Sequence, residues 1–296
     1  MTKSLVTGGC GFIGSHVVDY LVDQGHDVVA VDNHSANNDE FYENDQVVYS
    51  SADVTDYAAM RKVIKGVDYV FHLAAESRLQ PAIKNPIEAV TKNCVGTTVM
   101  LQAAREEGVK RFVYSSTSSG YGNNPPPSVE TQPDDCLNPY SASKIAAEKF
   151  CKMYYELYGL PTVSLRYFNV FGERSPTRGQ YAPVVGIFER QKAAGEPLTI
   201  VGDGTQRRDF IYVKDVARAN YLASIMPLKG HNGEVFNVGS GKNYSIQEIA
   251  DLISPEQKYL PKREGEMETT LANIDKIRSV IGWKPEVDVL EWIKNG

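Results

Sequence analysis

Three glycines at a spacing of three constrain this chain more than any other feature. The opening reads Leu5-Val6-Thr7-Gly8-Gly9-Cys10-Gly11-Phe12-Ile13-Gly14, a short apolar run passing into a helical pattern. Gly8 permits a tight turn. Gly11 lets the backbone approach a pyrophosphate with no Cβ in the way, and Gly14 lets the helix lie close to the strand. The helix N-terminus then offers free N–H groups and a partial positive charge to phosphates. The second apolar run ends in Val31-Asp32, at the acidic position that hydrogen-bonds an adenosine ribose. A carboxylate there repels a 2′-phosphate, and no Arg or Lys stands in 33–38. The pattern points to NAD rather than NADP.

The first half continues as an alternation of short apolar runs and longer amphipathic stretches. Strands are expected at 3–7, 27–31, 47–50, 68–72, 111–115 and 162–166. Helices are expected at 12–24, 57–64, 86–107 and 140–158. Such alternation implies a parallel sheet covered on both faces. After residue 166 the pattern loosens, with helical stretches at 184–194, 213–225, 245–253 and 274–281 between short strand-like runs. The expected fold is α/β, a Rossmann-type doubly wound parallel sheet with a smaller C-terminal α/β substrate-binding domain. The expected division is 1–166, with 210–238 returning to it, against 167–209 and 239–296.

Composition narrows the function. The net charge is -6 and no basic run occurs, which disfavours a nucleic-acid face. No apolar run approaches the roughly 20 residues that cross a bilayer, and no signal-peptide pattern precedes the first strand, so a cytoplasmic protein is expected. Cys10, Cys94, Cys136 and Cys151 show no C-x-x-C spacing, and the five histidines include no closely spaced pair. Reduced cysteines and no metal site are expected.

Of seventeen tyrosines, only Tyr140 has a lysine four residues on, Lys144. On a helix these share a face. A free phenol titrates near 10, so a Tyr acting as base at neutral pH needs cationic help. Lowering it by roughly three units takes about 4 kcal/mol of differential stabilisation, which Lys144 and the positive ring of NAD⁺ could supply together. The run Tyr114-Ser115-Ser116-Thr117-Ser118-Ser119-Gly120-Tyr121-Gly122 offers several hydroxyls at the end of strand five. Ser115 and Ser116 read as strand-end backbone bonding.

The chain resembles the extended short-chain dehydrogenase/reductase family, and within it the nucleotide-sugar epimerases and dehydratases. The matching segments are 7–16, Asp32-Asn33, His72-Leu73-Ala74-Ala75, 114–122, 139–144, 166–172 and 204–213. The resemblance implies that Phe12, Ile13, Asn33, Asp53, Val54, Leu73, Ala74, Ala75, Tyr140, Lys144 and Tyr167 line the cofactor with Gly8, Gly11, Gly14 and Asp32. It implies Thr117, Tyr140 and Lys144 as the catalytic group, and UDP as the nucleotide. Arg208 and Arg263 match phosphate-binding arginines. Glu266 matches the position that holds the uridine ribose. Asn169 is implied to bind the diphosphate or the sugar, and 198–201 to lie along the uracil. Thr270 falls where a bulky Tyr restricts relatives to plain hexoses, so room for a 2-acetamido group is expected. Relatives pair their counterparts of 86–107 and 140–158 across a homodimer.

Members of this group begin by oxidising a sugar C4 hydroxyl and then diverge. Dehydratases carry Asp-Glu after the catalytic Thr, and decarboxylases a Glu in that loop. Here Ser118 and Ser119 stand there, which cannot do carboxylate chemistry. Epimerisation of a UDP-hexose is therefore expected. A 4,6-dehydratase or decarboxylase is the alternative, since 72–77 and 139–144 also resemble dehydratases. A non-catalytic NAD-binding protein is the remote one.

Overall fold

The computed structural model describes residues 1–36, 41–177, 182–262 and 267–295. Among these, thirteen strands form in chain order. They are β1 (Lys3–Thr7), β2 (Asp27–Asp32), β3 (Val48–Ser51), β4 (Tyr69–His72), β5 (Arg111–Thr117), β6 (Thr162–Tyr167), β7 (Asn169–Phe171), β8 (Leu198–Val201), β9 (Arg207–Arg208), β10 (Phe210–Tyr212), β11 (Val235–Val238), β12 (Tyr244–Ser245) and β13 (Gln257–Leu260). Seven make one sheet in the order β3-β2-β1-β4-β5-β6-β11, and every pairing in it is parallel. Buried residues run unbroken along β6 and nearly so along β5, as a sheet covered on both faces requires. The order reverses between β1 and β4. Loops leave that point in opposite directions, and ligands of such sheets bind in the resulting crevice.

Helices cover both faces. On one lie α1 (Phe12–Asp23) and, later in the chain, Val213–Ile225; Val17, Val18, Leu21, Ala217 and Trp283 are buried there. On the other lie α2 (Tyr57–Val63), α3 (Leu79–Lys84), α4 (Pro86–Val90), α5 (Gly96–Glu107) and α6 (Pro139–Tyr158). Met60, Met100, Leu101, Ala147 and Cys151 fill the core beneath α2, α5 and α6. The expected helix over 86–107 is interrupted by a π turn at Thr91–Val95, whose extra residue turns Asn93 inward. Helix α3 is not among the expected helices; it carries Pro81 in its first turn, where a proline sacrifices no helical hydrogen bond. Asn138 caps α6 by accepting the Ser141 N–H, and left-handed Gly159 ends it.

The remaining helices are α7 (Val184–Ala193), α8 (Val213–Ile225), α9 (Ile246–Ile253), α10 (Asp275–Ile281) and α11 (Val289–Asn295). Phe188, Leu198, Ile200, Ile249 and Val289 form a third core among α7, β8, α9 and α11. The segment 210–238 divides its loyalties. β10 pairs with β7, α8 packs on α1, and β11 extends the main sheet beyond β6. Among the described residues no helix is long and apolar enough to cross a membrane.

Candidate active site

The crevice between β1 and β4 opens into a cleft of about 730 Å³. Its floor is the glycine turn. Gly8 has φ +71, and a Cβ there would stand 2.9 Å from the Ala74 backbone nitrogen, so only glycine lets the turn close onto the end of β4. A Cβ on Gly11 would meet nothing but the Gly8 carbonyl at 3.3 Å; its open side is the cleft. A Cβ on Gly14 would lie 1.9 Å from the Gly8 carbonyl. Gly14 therefore lets the helix sit on the turn, not only on the strand as the sequence suggests. Asp32 is oriented at both oxygens, accepting the Cys10 N–H at 3.1 Å and the His34 N–H at 2.9 Å. Asn33 donates to Asp53 at 2.8 Å and ties the ends of β2 and β3 together. All fifteen residues expected around the cofactor line this cleft. An exposed backbone cradle at one end, an oriented carboxylate at the next turn and hydroxyls at the far end fit a dinucleotide.

The far end is where β5 delivers Thr117 and the first turn of α6 delivers Tyr140. The two hydroxyl groups interact. Burial nevertheless holds the Tyr140 phenol above its ordinary value, the Thr117 hydroxyl working against it and the Glu76 charge adding to it. Lys144, one turn on, is buried, with its ammonium 4.5 Å from the centre of the Tyr114 ring. Burial pushes it down to about 8. The lowering expected from the sequence needs Lys144 and the positive ring of NAD⁺ together; within the protein alone the Lys144 ammonium faces the Tyr114 ring and burial dominates at Tyr140.

Ser115 and Ser116 also differ from expectation. Ser115 Oγ bonds the Tyr167 hydroxyl at 2.8 Å, and Ser116 Oγ donates to Glu148 Oε1 at 2.5 Å. They bridge neighbouring elements through side chains. Glu148 also receives Arg166 at both oxygens, at 2.8 and 2.7 Å, and Arg166 reaches Asp134 at 2.7 Å. This buried ionic knot went unread, although Glu148 stands four residues after Lys144, on its helix face. Glu76, Arg78 and Asn93 were also missed. Glu76 is buried and holds Arg78 at both oxygens, at 3.0 and 3.1 Å. Asn93 clamps the Glu76 backbone from both sides and donates to Ser143 at 2.9 Å.

A second cavity of about 400 Å³ continues from Thr117 and Tyr140 toward the C-terminal unit, with Asn169 and Arg208 on its wall. Asn169 spends its amide hydrogens inward, on the Asp209 carbonyl at 2.9 Å and the Thr270 hydroxyl at 3.0 Å. Thr270 is placed elsewhere than the sequence implied. It is buried behind Asn169, its hydroxyl also accepts the Asp209 N–H at 3.0 Å, and it lines neither cavity. Its hydroxyl reaches the cavity wall at Asn169. Arg263 and Glu266 lie outside the described residues.

Comparison with known proteins agrees with this geometry. Residues 4–239 match the NAD dependent epimerase/dehydratase family. A putative UDP-glucose 4-epimerase of Methanocaldococcus jannaschii is 38% identical, over 98% of this chain and 95% of that one. The UDP-glucose 4-epimerase of Thermotoga maritima, solved with UDP-glucose, superposes with a TM-score of 0.93 at 35% identity, covering 99% of this chain and 96% of that one. A UDP-N-acetylglucosamine 4-epimerase of Methanobrevibacter ruminantium, solved with UDP-N-acetylmuramic acid, gives 0.92 at 36% identity, covering 99% and 96%. A glycine turn at the sheet's switch point, with Tyr140 and Thr117 at the far end of the same cleft, is what this kinship would build, and the chain belongs to the NAD dependent epimerase/dehydratase family, with NAD as its cofactor.

Proposed function

We propose that the chain inverts C4 of a UDP-hexose, with UDP-glucose and UDP-N-acetylglucosamine as the first candidates. The observation that carries this reading is the absence of usable carboxylate chemistry beside Tyr140. Ser118 and Ser119 follow Thr117, and among the described residues none lining the second cavity is Asp or Glu. The nearby Glu76 has both oxygens committed to Arg78. Elimination of water across C5–C6 would need such a group, and inversion does not.

In this reading Thr117 bonds the C4 oxygen and Tyr140 takes, then returns, its proton. When bound, NAD⁺ would supply the acceptor for the C4 hydride and, once reduced, the donor that returns it, so that no net redox change occurs. Arg208 anchors the diphosphate. Asn169 presents a carbonyl oxygen, which suits a sugar hydroxyl or amide N–H rather than a phosphate. The outer face from α4 to α6 leaves Ile87, Val95 and Leu157 exposed, which supports a two-fold dimer through it. A second reading, inversion of a UDP-hexuronic acid, is favoured by Arg78, a cation that Glu76 orients and that lines both cavities.

Proton NMR of the purified protein with UDP-glucose, UDP-N-acetylglucosamine or UDP-glucuronate, no cofactor added, tests both. A new C4 epimer with the sugar otherwise intact is expected. A 4-keto-6-deoxy product or loss of carbon dioxide would overturn the proposal. The rate ratio across the three tubes decides between the readings.

A further inference from the structure

Beside the adenosine end of the cleft, three side chains from separate stretches of chain converge. Cys10 comes from the glycine turn, His34 from just after β2, and Glu43 from the segment leading to β3. Their sulfur, ring nitrogen and carboxylate oxygen all lie within 4.8 Å of one another. Cys10 Sγ stands 3.9 Å from Glu43 Oε1, and His34 Nε2 stands 3.7 Å from the same oxygen. The imidazole separation is too long for a hydrogen bond. Ligands around a tetrahedral zinc, with Zn–S near 2.3 Å and Zn–N or Zn–O near 2.0 Å, stand about 3.3–3.6 Å apart. Closing that difference takes small rotations of His34 and Glu43, whose side chains are 37% and 53% exposed.

The electrostatics ask for a cation. Asp32 and Glu43 both bring negative charge close to Cys10, Asp32 accepting its N–H at 3.1 Å and Glu43 Oε1 standing 3.9 Å from its sulfur, and neither has a Lys or Arg ion-pair partner among the described residues. Two restraints hold His34 in place. The His34 N–H is bonded to Asp32 at 2.9 Å, and its ring packs edge-on against Phe41 at 4.8 Å. The expectation of no metal rested on the lack of closely spaced histidines, and this trio has ligands from different stretches.

We propose that Cys10, His34 and Glu43 bind one zinc-like divalent transition metal, with water as the fourth ligand. A thiolate, an imidazole and a carboxylate are the donor set of such an ion rather than of magnesium or calcium. The bound metal ties His34 and Glu43 to the glycine turn, next to the carboxylate expected to hold the ribose. The site lies away from Tyr140, and the proposal is independent of which sugar is turned over.

The purified holoenzyme, stripped with EDTA, is titrated with Co²⁺ and then with Zn²⁺. A thiolate on cobalt gives an intense near-ultraviolet charge-transfer band. The expected result is a band that saturates at one equivalent and is displaced by Zn²⁺. It disappears in Cys10→Ser, and Glu43→Gln, an exposed and fold-neutral change, weakens affinity at least about tenfold. No band at one equivalent would overturn the proposal, as would a band that Cys10→Ser and Glu43→Gln leave unchanged.

Discussion

Tyr140 carries opposing demands. Catalysis as proposed needs a phenol that gives up its proton easily, while burial holds it above its ordinary value. Removing the hydroxyl separates that chemistry from binding. Tyr140→Phe is expected to lower kcat by about 10²–10⁴ while the protein still copurifies with NAD. A variant keeping more than a tenth of the activity would exclude Tyr140 as the base. Thr117→Ala should lose activity and Thr117→Ser should recover most of it, read from the rate of epimer formation. Lys144 predicts a pH effect. Burial pushes it down to about 8, so it is charged below that pH and loses its charge as pH rises through it. The alkaline limb of kcat is expected near pH 8. Lys144→Arg, where it supports turnover, should move the limb upward because guanidinium stays protonated. An unmoved limb would assign it to another group.

At the scale of elements, the glycine turn and α6 do most of the positioning. The Cβ of Gly14→Ala would fall 1.9 Å from a backbone carbonyl, so the turn and α1 cannot both keep their places. That variant should lose copurified NAD and melt at lower temperature. Gly11→Ala meets its neighbour only at 3.3 Å and should keep its fold while binding NAD more weakly. Helix α6 is held to β5 and β6 by the Ser116–Glu148–Arg166 knot, whose members are all buried. Breaking a buried ion pair leaves a charge uncompensated and costs about 3–5 kcal/mol. Glu148→Gln should lower the free energy of chemical unfolding by that order. A loss under 1 kcal/mol would show that Asp134 alone suffices for Arg166.

For the whole molecule, His72 at the centre of the sheet links folding to pH. Its Nδ1 meets the Thr7 hydroxyl at 2.7 Å and its Nε2 the Thr97 hydroxyl at 3.0 Å. Thr97 donates its own hydrogen to the Asn93 carbonyl at 2.6 Å, so Nε2 is the protonated nitrogen. Burial, helped by Lys144, lowers His72 to about 3, against 6.5 when unfolded. Between those values the unfolded chain binds the extra proton, so stability is full above pH 6.5 and falls as pH drops toward 3. Unfolding free energies at pH 7 and pH 4 should differ less in His72→Gln than in the parent. The outer faces of α4 to α6 make a prediction about assembly. Ile87 is 79% exposed and Leu157 65%. If the proposed dimer uses this face, the parent should sediment as a dimer and the Ile87→Glu, Leu157→Glu double variant as a monomer, and equal sedimentation of the two would overturn it.

What could be read from the chain alone was what depends on neighbours in sequence. The glycine spacing, the acid that closes β2, the four-residue step from Tyr140 to Lys144 and the alternation of strand and helix are local patterns, and each became local geometry. The interrupted helix shows the limit. Nothing in 86–107 announces the π turn, which earns its place by aiming Asn93 at Glu76 and Ser143. Tertiary structure decided the rest because it turned on burial and on distant partners. It set the electrostatics of Tyr140, withdrew Thr270 behind Asn169, committed Glu76 to Arg78, and brought Cys10 to Glu43 across 33 positions. Residue type and spacing say which groups a chain owns. Which of them meet, and how much water remains around them, is settled only when the sheet, its helices and the C-terminal unit pack.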